Sequence, residues 1–259
     1  MMIIGFLFSL ESVAQGISFN AGLTPAQDRI VLRSQYRQMS MQNDMMKSTT
    51  QMVPLVAAYG LTPAVTVLGR GVFINRSFSN DPNDVQGFDD LFFMSKFRLY
   101  RKNTASYTIG VAPYIGSNVP VGNEKLSNRT LNPVAGVSIS FRPRFFSVDF
   151  STSYVVGNIL NENVTVDGDI FNMNAAFSAI VPLGNDALSP VIELNYQKSG
   201  VNSDNSAFSA DFLFLSPGAS YIHGSLVFEA LAQFPVYQTT MVNGMRQNPR
   251  LIVGVKYMF

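Results

Sequence analysis

Residues 144–157 read RFFSVDFSTSYVVG, and this stretch decides the class of fold. Phe146, Val148 and Phe150 occupy every second position, with serine and aspartate between them. A period of two is the signature of a β-strand that has one apolar face. The alternation also continues for longer than the ~5–6 residues usual in soluble strands. It matches the length that a tilted strand needs to cross a bilayer.

The same alternation recurs along the chain, for example over residues 169–183 and 248–259. It predicts about twelve strands, near residues 30–40, 51–60, 64–78, 89–100, 105–116, 131–142, 144–157, 169–183, 189–199, 206–222, 224–237 and 248–259. An even strand number is typical of bacterial outer-membrane barrels. The connections alternate between short turns and longer loops rich in Asn, Asp, Gly and Ser, at residues 41–50, 79–88, 117–130, 158–168, 200–205 and 238–247.

These patterns predict an all-β fold, namely a closed antiparallel transmembrane β-barrel in the bacterial outer membrane. Short turns are expected on the periplasmic side and longer loops on the extracellular side. The first strand (30–40) should pair with the last (248–259). Eight aromatic side chains are predicted to face lipid: Phe146, Phe150, Phe171, Phe177, Phe212, Phe214, Phe228 and Tyr257.

The N-terminal residues are predicted to lie outside the barrel domain, which covers residues 30–259. Residues 1–14 read MMIIGFLFSLESVA, an apolar run that ends in small residues, and resemble the remnant of a secretory signal peptide. A buried N-terminal helix is the alternative. Residues 15–29 would then form an N-terminal periplasmic segment.

The inward parity of the strands is polar, which predicts a set of lumen-lining residues: Arg33, Arg37, Arg70, Lys96, Arg98, Asp149, Glu193, Asp211, Glu229 and Lys256. Two interpretations stay open. These charges pair with one another and fill a narrow barrel, or they line an aqueous path for small polar solutes.

The third strand departs from clean alternation, because Leu68 and Val72 share the parity of Arg70. Either a β-bulge near Gly69 or Gly71 resets the register, or this part of the lumen is apolar. An apolar patch in the lumen would favour a hydrophobic or aromatic solute.

The sequence offers no catalytic constellation. It has one histidine, His223, at a predicted turn, and no serine in a G-x-S-x-G motif. It has no cysteine, phosphate loop or zinc signature, so no cofactor or metal is predicted. Methionines crowd the first and last long loops, where a soft metal such as Cu(I) is the alternative to simple apolar packing. The net charge of +1 implies no nucleic-acid partner.

The chain ends in alternating apolar residues, with Val255, Tyr257 and Phe259 on one parity. From the terminal aromatic we expect a membrane-insertion signal that is read by the barrel-insertion machinery.

Several segments together resemble one family of outer-membrane proteins, the "MetA-pathway of phenol degradation" transporters. They are Gly87-Phe88-Asp89-Asp90-Leu91, Lys96-Phe97-Arg98-Leu99-Tyr100, Ala112-Pro113-Tyr114-Ile115-Gly116, Val119-Pro120-Val121-Gly122, Ser216-Pro217-Gly218-Ala219-Ser220-Tyr221, Gln233-Phe234-Pro235-Val236 and Val253-Gly254-Val255-Lys256-Tyr257-Met258-Phe259. Asp89 departs from the family's Gly-x-Gly-Asp strand opening. The resemblance implies a barrel and uptake of aromatic compounds, and it carries over no catalytic residue.

Together these features predict an outer-membrane channel or passive transporter for small solutes, with hydrophobic or aromatic compounds as candidates, and not an enzyme. One alternative is a structural or surface-interaction barrel whose lumen is blocked. A lipid-modifying barrel enzyme is the less favoured alternative. The expected partners are outer-membrane lipid, the barrel-insertion machinery and a small-molecule solute.

Overall fold

The computed structural model describes residues 16–19, 21–43, 46–79, 81–127, 129–157, 169–201, 210–239 and 246–259. The strands within them are β1 Ile30–Gln42, β2 Lys47–Gly60, β3 Val65–Phe78, β4 Asp81–Phe88, β5 Leu91–Phe97, β6 Tyr100–Asn103, β7 Tyr107–Val119, β8 Asn132–Pro143, β9 Phe146–Val155, β10 Asp169–Ala179, β11 Val181–Leu183, β12 Asp186–Val201, β13 Ala210–His223, β14 Leu226–Gln238, β15 Arg246–Gln247 and β16 Arg250–Met258. No helix among the described residues is long and apolar enough to cross a membrane.

These strands make up twelve membrane-crossing units, because three units are interrupted. β4, β5 and β6 follow one another between β3 and β7, β10 is continued by β11, and β15 is continued by β16. All neighbours pair antiparallel, and the units follow chain order around the sheet. The predicted fold and strand number are confirmed.

The sheet closes where β1 pairs with β16, with Val31 opposite Met258 and Gln38 opposite Leu251. Closure gives each membrane-crossing unit a neighbour on both sides, as lipid requires, because backbone groups cannot find water in the bilayer core. The pairing is the one expected from the sequence, between the first strand and the last.

The two ends of the barrel differ in their connections. Short turns join β2 to β3, β6 to β7, β8 to β9, β11 to β12 and β13 to β14, at the end where β1 begins. At the other end, the predicted loops at 41–50 and 79–88 are shorter in the structure. Lys47 already pairs with Gln42, and Phe88 with Phe73, so most of these residues belong to strands. Residues 158–168 and most of residues 200–205 and 238–247 lie outside the described residues.

Continuous cross-strand pairing fixes which side chains face the interior. One inward row runs from Arg33 to Val56, Arg70 and Phe92 on successive strands. The opposite parity carries exposed apolar side chains such as Leu55 and Phe93. Of the aromatic residues predicted to face lipid, six lie on this outer face: Phe146, Phe150, Phe171, Phe177, Phe228 and Tyr257.

On β13 the predicted parity is wrong. Phe212 and Phe214 face the interior and are 3% and 2% exposed, whereas Asp211 lies on the outer face. The register is set by Ser216, which pairs with the inward Glu193. The Asp211 carboxylate sits at the start of the strand, near the long loops, and accepts a hydrogen bond from the Tyr196 hydroxyl at 3.4 Å.

Candidate functional site in the barrel interior

Residues 16–19 and 21–24, which we call the plug segment, lie inside the barrel. The amides of Ile17 and Ser18 and the Ser18 hydroxyl donate to the carboxylate of Glu193 on β12. Asn195 Nδ2 donates to the Ser18 hydroxyl at 2.9 Å. Because Glu193 is fully buried, these bonds supply the polar partners that water would otherwise provide. The expectation of a periplasmic segment at 15–29 therefore does not hold for the plug segment.

The first residues of the plug segment also make apolar contacts. Ile17 is fully buried and packs with four inward side chains, Ala176, Val191, Leu231 and Ile252. Its carbonyl oxygen accepts hydrogen bonds from Gln35 Nε2 at 3.0 Å and from the Arg33 guanidinium. The plug segment is thus tied to β1 as well as to β12.

Further along, the plug segment crosses the lumen and contacts other strands. Lys96 Nζ donates to the carbonyl of Ala21 at 2.5 Å, and the amide of Gly22 donates to Ser140 Oγ at 2.8 Å. A Cβ on Gly22 would lie 2.6 Å from the Ser140 backbone nitrogen, so only glycine fits against this wall. Arg98 donates to Thr24 Oγ1 at 3.1 and 2.8 Å.

The interior also contains buried ion pairs. The carboxylate of Glu229 pairs with Arg33 at 2.7 Å and with Lys256 at 3.8 Å. On the opposite wall, Asp149 pairs with Arg142 at 3.6 Å and accepts a hydrogen bond from the Ser140 hydroxyl. This pairing accords with the interpretation in which inward charges neutralise one another.

The plug segment leaves a cavity of about 730 Å³ between itself and the inner faces of β1, β2, β3 and β5. At the short-turn end its lining includes Arg101, Asn103 and Ser225, and deeper in the barrel it reaches Arg37 and Val72. The volume lies within the range of ~300–1,000 Å³ that is typical of small-molecule pockets. The cavity therefore runs from the short-turn end to about the middle of β3.

Apolar and cationic side chains share the wall of this cavity. β2 and β3 pair without a register shift from Ser48–Phe78 to Gly60–Thr66, so no bulge occurs at Gly69 or Gly71. Leu68, Val72 and Met94 consequently line the cavity together with Arg37 and Arg70. Of the two interpretations of β3, the structure shows the apolar lumen.

Toward the long loops, the interior contains aromatic rings. Phe212 and Phe214 stack with ring centroids 6.1 Å apart, and the Arg250 guanidinium lies 4.2 Å over the Phe214 ring. Arg250 also donates to Gln247 Oε1. Both rings were predicted to face lipid, and parity gives no guide here because both parities of β13 are apolar at this point.

Nine of the ten predicted lumen residues face the interior, and Asp211 is the exception. Seven have contacts described above. Arg37 Nη2 donates to Gln35 Oε1 at 2.7 Å, and Arg70 lies 4.8 Å from the ring centroid of Phe92. On the closing strand, Val255 and Tyr257 face outward, and the terminal Phe259 is 53% exposed.

His223 and the methionines of the long loops bear on the enzyme and metal-binding alternatives. His223, on the turn at the end of β13, is 2.7 Å from the carboxylate of Asp186, which also accepts a hydrogen bond from Tyr221 at 2.5 Å. No serine is among the described hydrogen-bond partners of His223. Within the described part of the chain, no group of three or more His, Asp or Glu could hold a metal. Met45, Met241 and Met245 lie outside the described residues.

Comparisons with known proteins agree with this architecture. An outer membrane channel from Pseudomonas putida F1 matches with a TM-score of 0.67 at 15% identity, over 95% of this chain and 100% of that one. The beta domain of the Bordetella autotransporter BrkA matches with a TM-score of 0.51 at 11% identity, over 88% and 98%. At such identities these likenesses show the fold alone, that of bacterial outer-membrane barrels. No curated protein matches the chain.

A family model gives the more specific match. The model described as "Putative MetA-pathway of phenol degradation" matches residues 37–241, which include strands from β1 to β14 and the inward charges between them. The resemblance seen in the sequence motifs is thereby confirmed. The chain belongs to the MetA-pathway of phenol degradation family and is a barrel of the bacterial outer membrane.

Proposed function

We propose that this protein is a passive channel that carries small solutes, hydrophobic or aromatic in part, across the outer membrane. The observation that supports this most is the wall of the cavity, where Leu68, Val72 and Met94 stand among inward arginines and lysines. Leu68 and Met94 pack with Tyr114 and Val134 inside the barrel. The side of this cluster that borders the cavity offers apolar surface to a solute. The predicted lumen residues on β1, β3 and β5 would contact the solute in this proposal.

The family match supports an aromatic solute, since the family is described by phenol degradation. The likeness to an outer membrane channel of Pseudomonas putida F1 supports the same type of function at the level of the fold. A lipid-modifying enzyme has less support, because the hydrogen bond described for His223 goes to Asp186 and not to a serine.

A second function is favoured by the plug segment. The plug segment occupies the lumen and is hydrogen-bonded to Glu193, Lys96 and Arg98. Such an arrangement is expected of a surface-interaction barrel whose interior is blocked. The two functions differ in a measurable property, because only a channel lets solutes through.

The channel is tested with the reconstituted full chain. Planar bilayers should show ion conductance, and a phenolic solute should equilibrate faster into protein-loaded liposomes than into empty ones. If neither conductance nor solute flux exceeds the protein-free control, the surface-interaction barrel becomes the better explanation.

We further propose that the closing strand carries the signal for the barrel-insertion machinery. Val255, Tyr257 and Phe259 present an exposed apolar surface, and the rings of Tyr257 and Phe259 are 4.5 Å apart. Deleting Phe259 should lower the amount of protein inserted into the outer membrane of cells. Replacing Phe145, an exposed aromatic on a short turn, with alanine is the control. Full insertion of the protein without Phe259 would contradict the proposal.

A further inference from the structure

Two guanidinium groups of the cavity wall differ from Arg33 and Lys256 in their partners. Arg33 and Lys256 share Glu229, whereas Arg37 donates at 3.0 and 2.7 Å to Gln35 Oε1, an uncharged amide oxygen. Arg70 has its guanidinium carbon 4.8 Å from the Phe92 ring centroid. Among the described residues, no carboxylate lies within ion-pair distance of Arg37 or Arg70.

The surroundings of this pair are mainly positive. Arg33, Arg70 and Arg250 lie near Arg37 and carry the same charge, whereas the nearby carboxylate of Glu193 is bonded to the plug segment. The carboxylate of Asp89 borders the same cavity but is not within ion-pair distance of Arg70. Cations gathered in one cavity are stabilised by an anion, and guanidinium groups suit carboxylates because they form two parallel hydrogen bonds.

The wall beside these cations is apolar. Leu68 and Met94 are opposite one another on β3 and β5, and Val72 lies two residues beyond Arg70 on the same face. All three border the same cavity as Arg37 and Arg70. A ligand that fills this space therefore meets positive charge and apolar surface at once.

We infer that the cavity binds a small carboxylate with an aromatic body, its carboxylate at the Arg37–Arg70 pair and its ring along Leu68, Val72 and Met94. As the solute class of the proposed channel, this inference rests on that function. Such a ligand matches both properties of the wall. A neutral hydrocarbon would leave Arg37 and Arg70 without an anion. A small inorganic anion would leave Leu68, Val72 and Met94 in contact with water.

Binding to the full chain in lipid nanodiscs tests the inference, since detergent would compete for an amphipathic site. The probes are benzoate, the neutral benzyl alcohol and the cationic benzylamine, measured by equilibrium dialysis. Benzoate should bind about tenfold more tightly than benzyl alcohol, because charge-assisted hydrogen bonds are the stronger kind. Benzylamine should bind most weakly.

The double variant Arg37→Gln/Arg70→Gln should lose the preference for benzoate and keep the binding of benzyl alcohol. Arg144→Gln, on the exposed turn between β8 and β9, is the matched control and should bind like the wild type. Retained binding of benzyl alcohol shows that the double variant is folded.

Equal binding of benzoate and benzyl alcohol, or a benzoate preference that survives in the double variant, would overturn the inference. Solute flux separates this failure from failure of the channel. If all three probes enter protein-loaded liposomes at the same rate, faster than empty ones, and bind equally, the channel is supported and the carboxylate site is contradicted. If benzoate binds through the arginines but nothing crosses, the site stands and the channel falls.

Discussion

A chain that lacks residues 16–24 should conduct ions several-fold better than the full chain in planar bilayers. The plug segment occupies the lumen between Glu193 on one wall and Lys96 on another, and its removal joins that volume to the existing cavity. Water can then hydrate the released carboxylate and ammonium groups, so the barrel should stay closed and folded. Single-channel conductance in the same salt measures the effect directly.

A point substitution gives the same test without shortening the chain. Gly22→Val should push the plug segment from the wall, because a Cβ there would lie 2.6 Å from the Ser140 nitrogen and 2.7 Å from the Ile139 carbonyl carbon. The expected result is a higher or more variable conductance. Gly69→Ala is the matched control, since its Cβ would meet only Phe93 at an ordinary 3.5 Å. Unchanged conductance in both the deletion and Gly22→Val would show that the plug segment does not limit flow.

Glu229→Leu should be the most destabilising single substitution among the ion pairs described. The Glu229 side chain is 1% exposed, and its loss leaves Arg33 and Lys256 without their shared carboxylate. Breaking a buried pair in this way costs ~3–5 kcal/mol. The midpoint of unfolding in urea, or the temperature at which the folded band disappears in gel electrophoresis, should fall accordingly.

An exposed ion pair of the same chain provides the control. Glu124 and Arg129 form an ion pair at 3.1 Å, but their side chains are 87% and 60% exposed. Exposed pairs contribute ~0–1 kcal/mol, so Glu124→Leu should leave the unfolding midpoint nearly unchanged. If Glu229→Leu were as stable as Glu124→Leu, the interior charges would be hydrated, and the packed interior described above would be wrong.

Strand positions were predictable because the alternation is strong where one face meets lipid. On β9, Phe146 and Phe150 alternate with Ser147 and Asp149, and the structure places the first two outside and the others inside. The lipid face rejects polar groups and the narrow interior collects them, so parity alone assigns the two faces there.

On β13 that signal fails for a physical reason. Residues 212–215 read FLFL, so both parities are apolar, and the polar Asp211 lies at the strand end where it can leave the bilayer. The inward parity is decided by the buried Ser216 and Ser220 further along the strand. Giving these small polar residues more weight than Asp211 would have found the correct register.

The plug segment could not be placed by strand patterns, because its residues have no regular alternation. The signal that could have located this segment is a carboxylate of the barrel wall. Glu193 has only Ala176 and Ser216 as cross-strand neighbours, so no cation of the adjacent strands neutralises it. A buried carboxylate in that position needs donors from elsewhere, and the amides of Ile17 and Ser18 supply them.

Blocking the lumen through a single introduced cysteine tests most directly whether solutes pass through the interior. The natural chain has no cysteine, so Leu68→Cys creates one reactive site on the cavity wall, and Phe73→Cys creates one on the outer face of the same strand. A bulky thiol reagent should lower conductance and solute flux of Leu68→Cys and leave Phe73→Cys unchanged. Complete labelling of Leu68→Cys, verified by mass, with conductance and flux unaltered would contradict passage through this cavity.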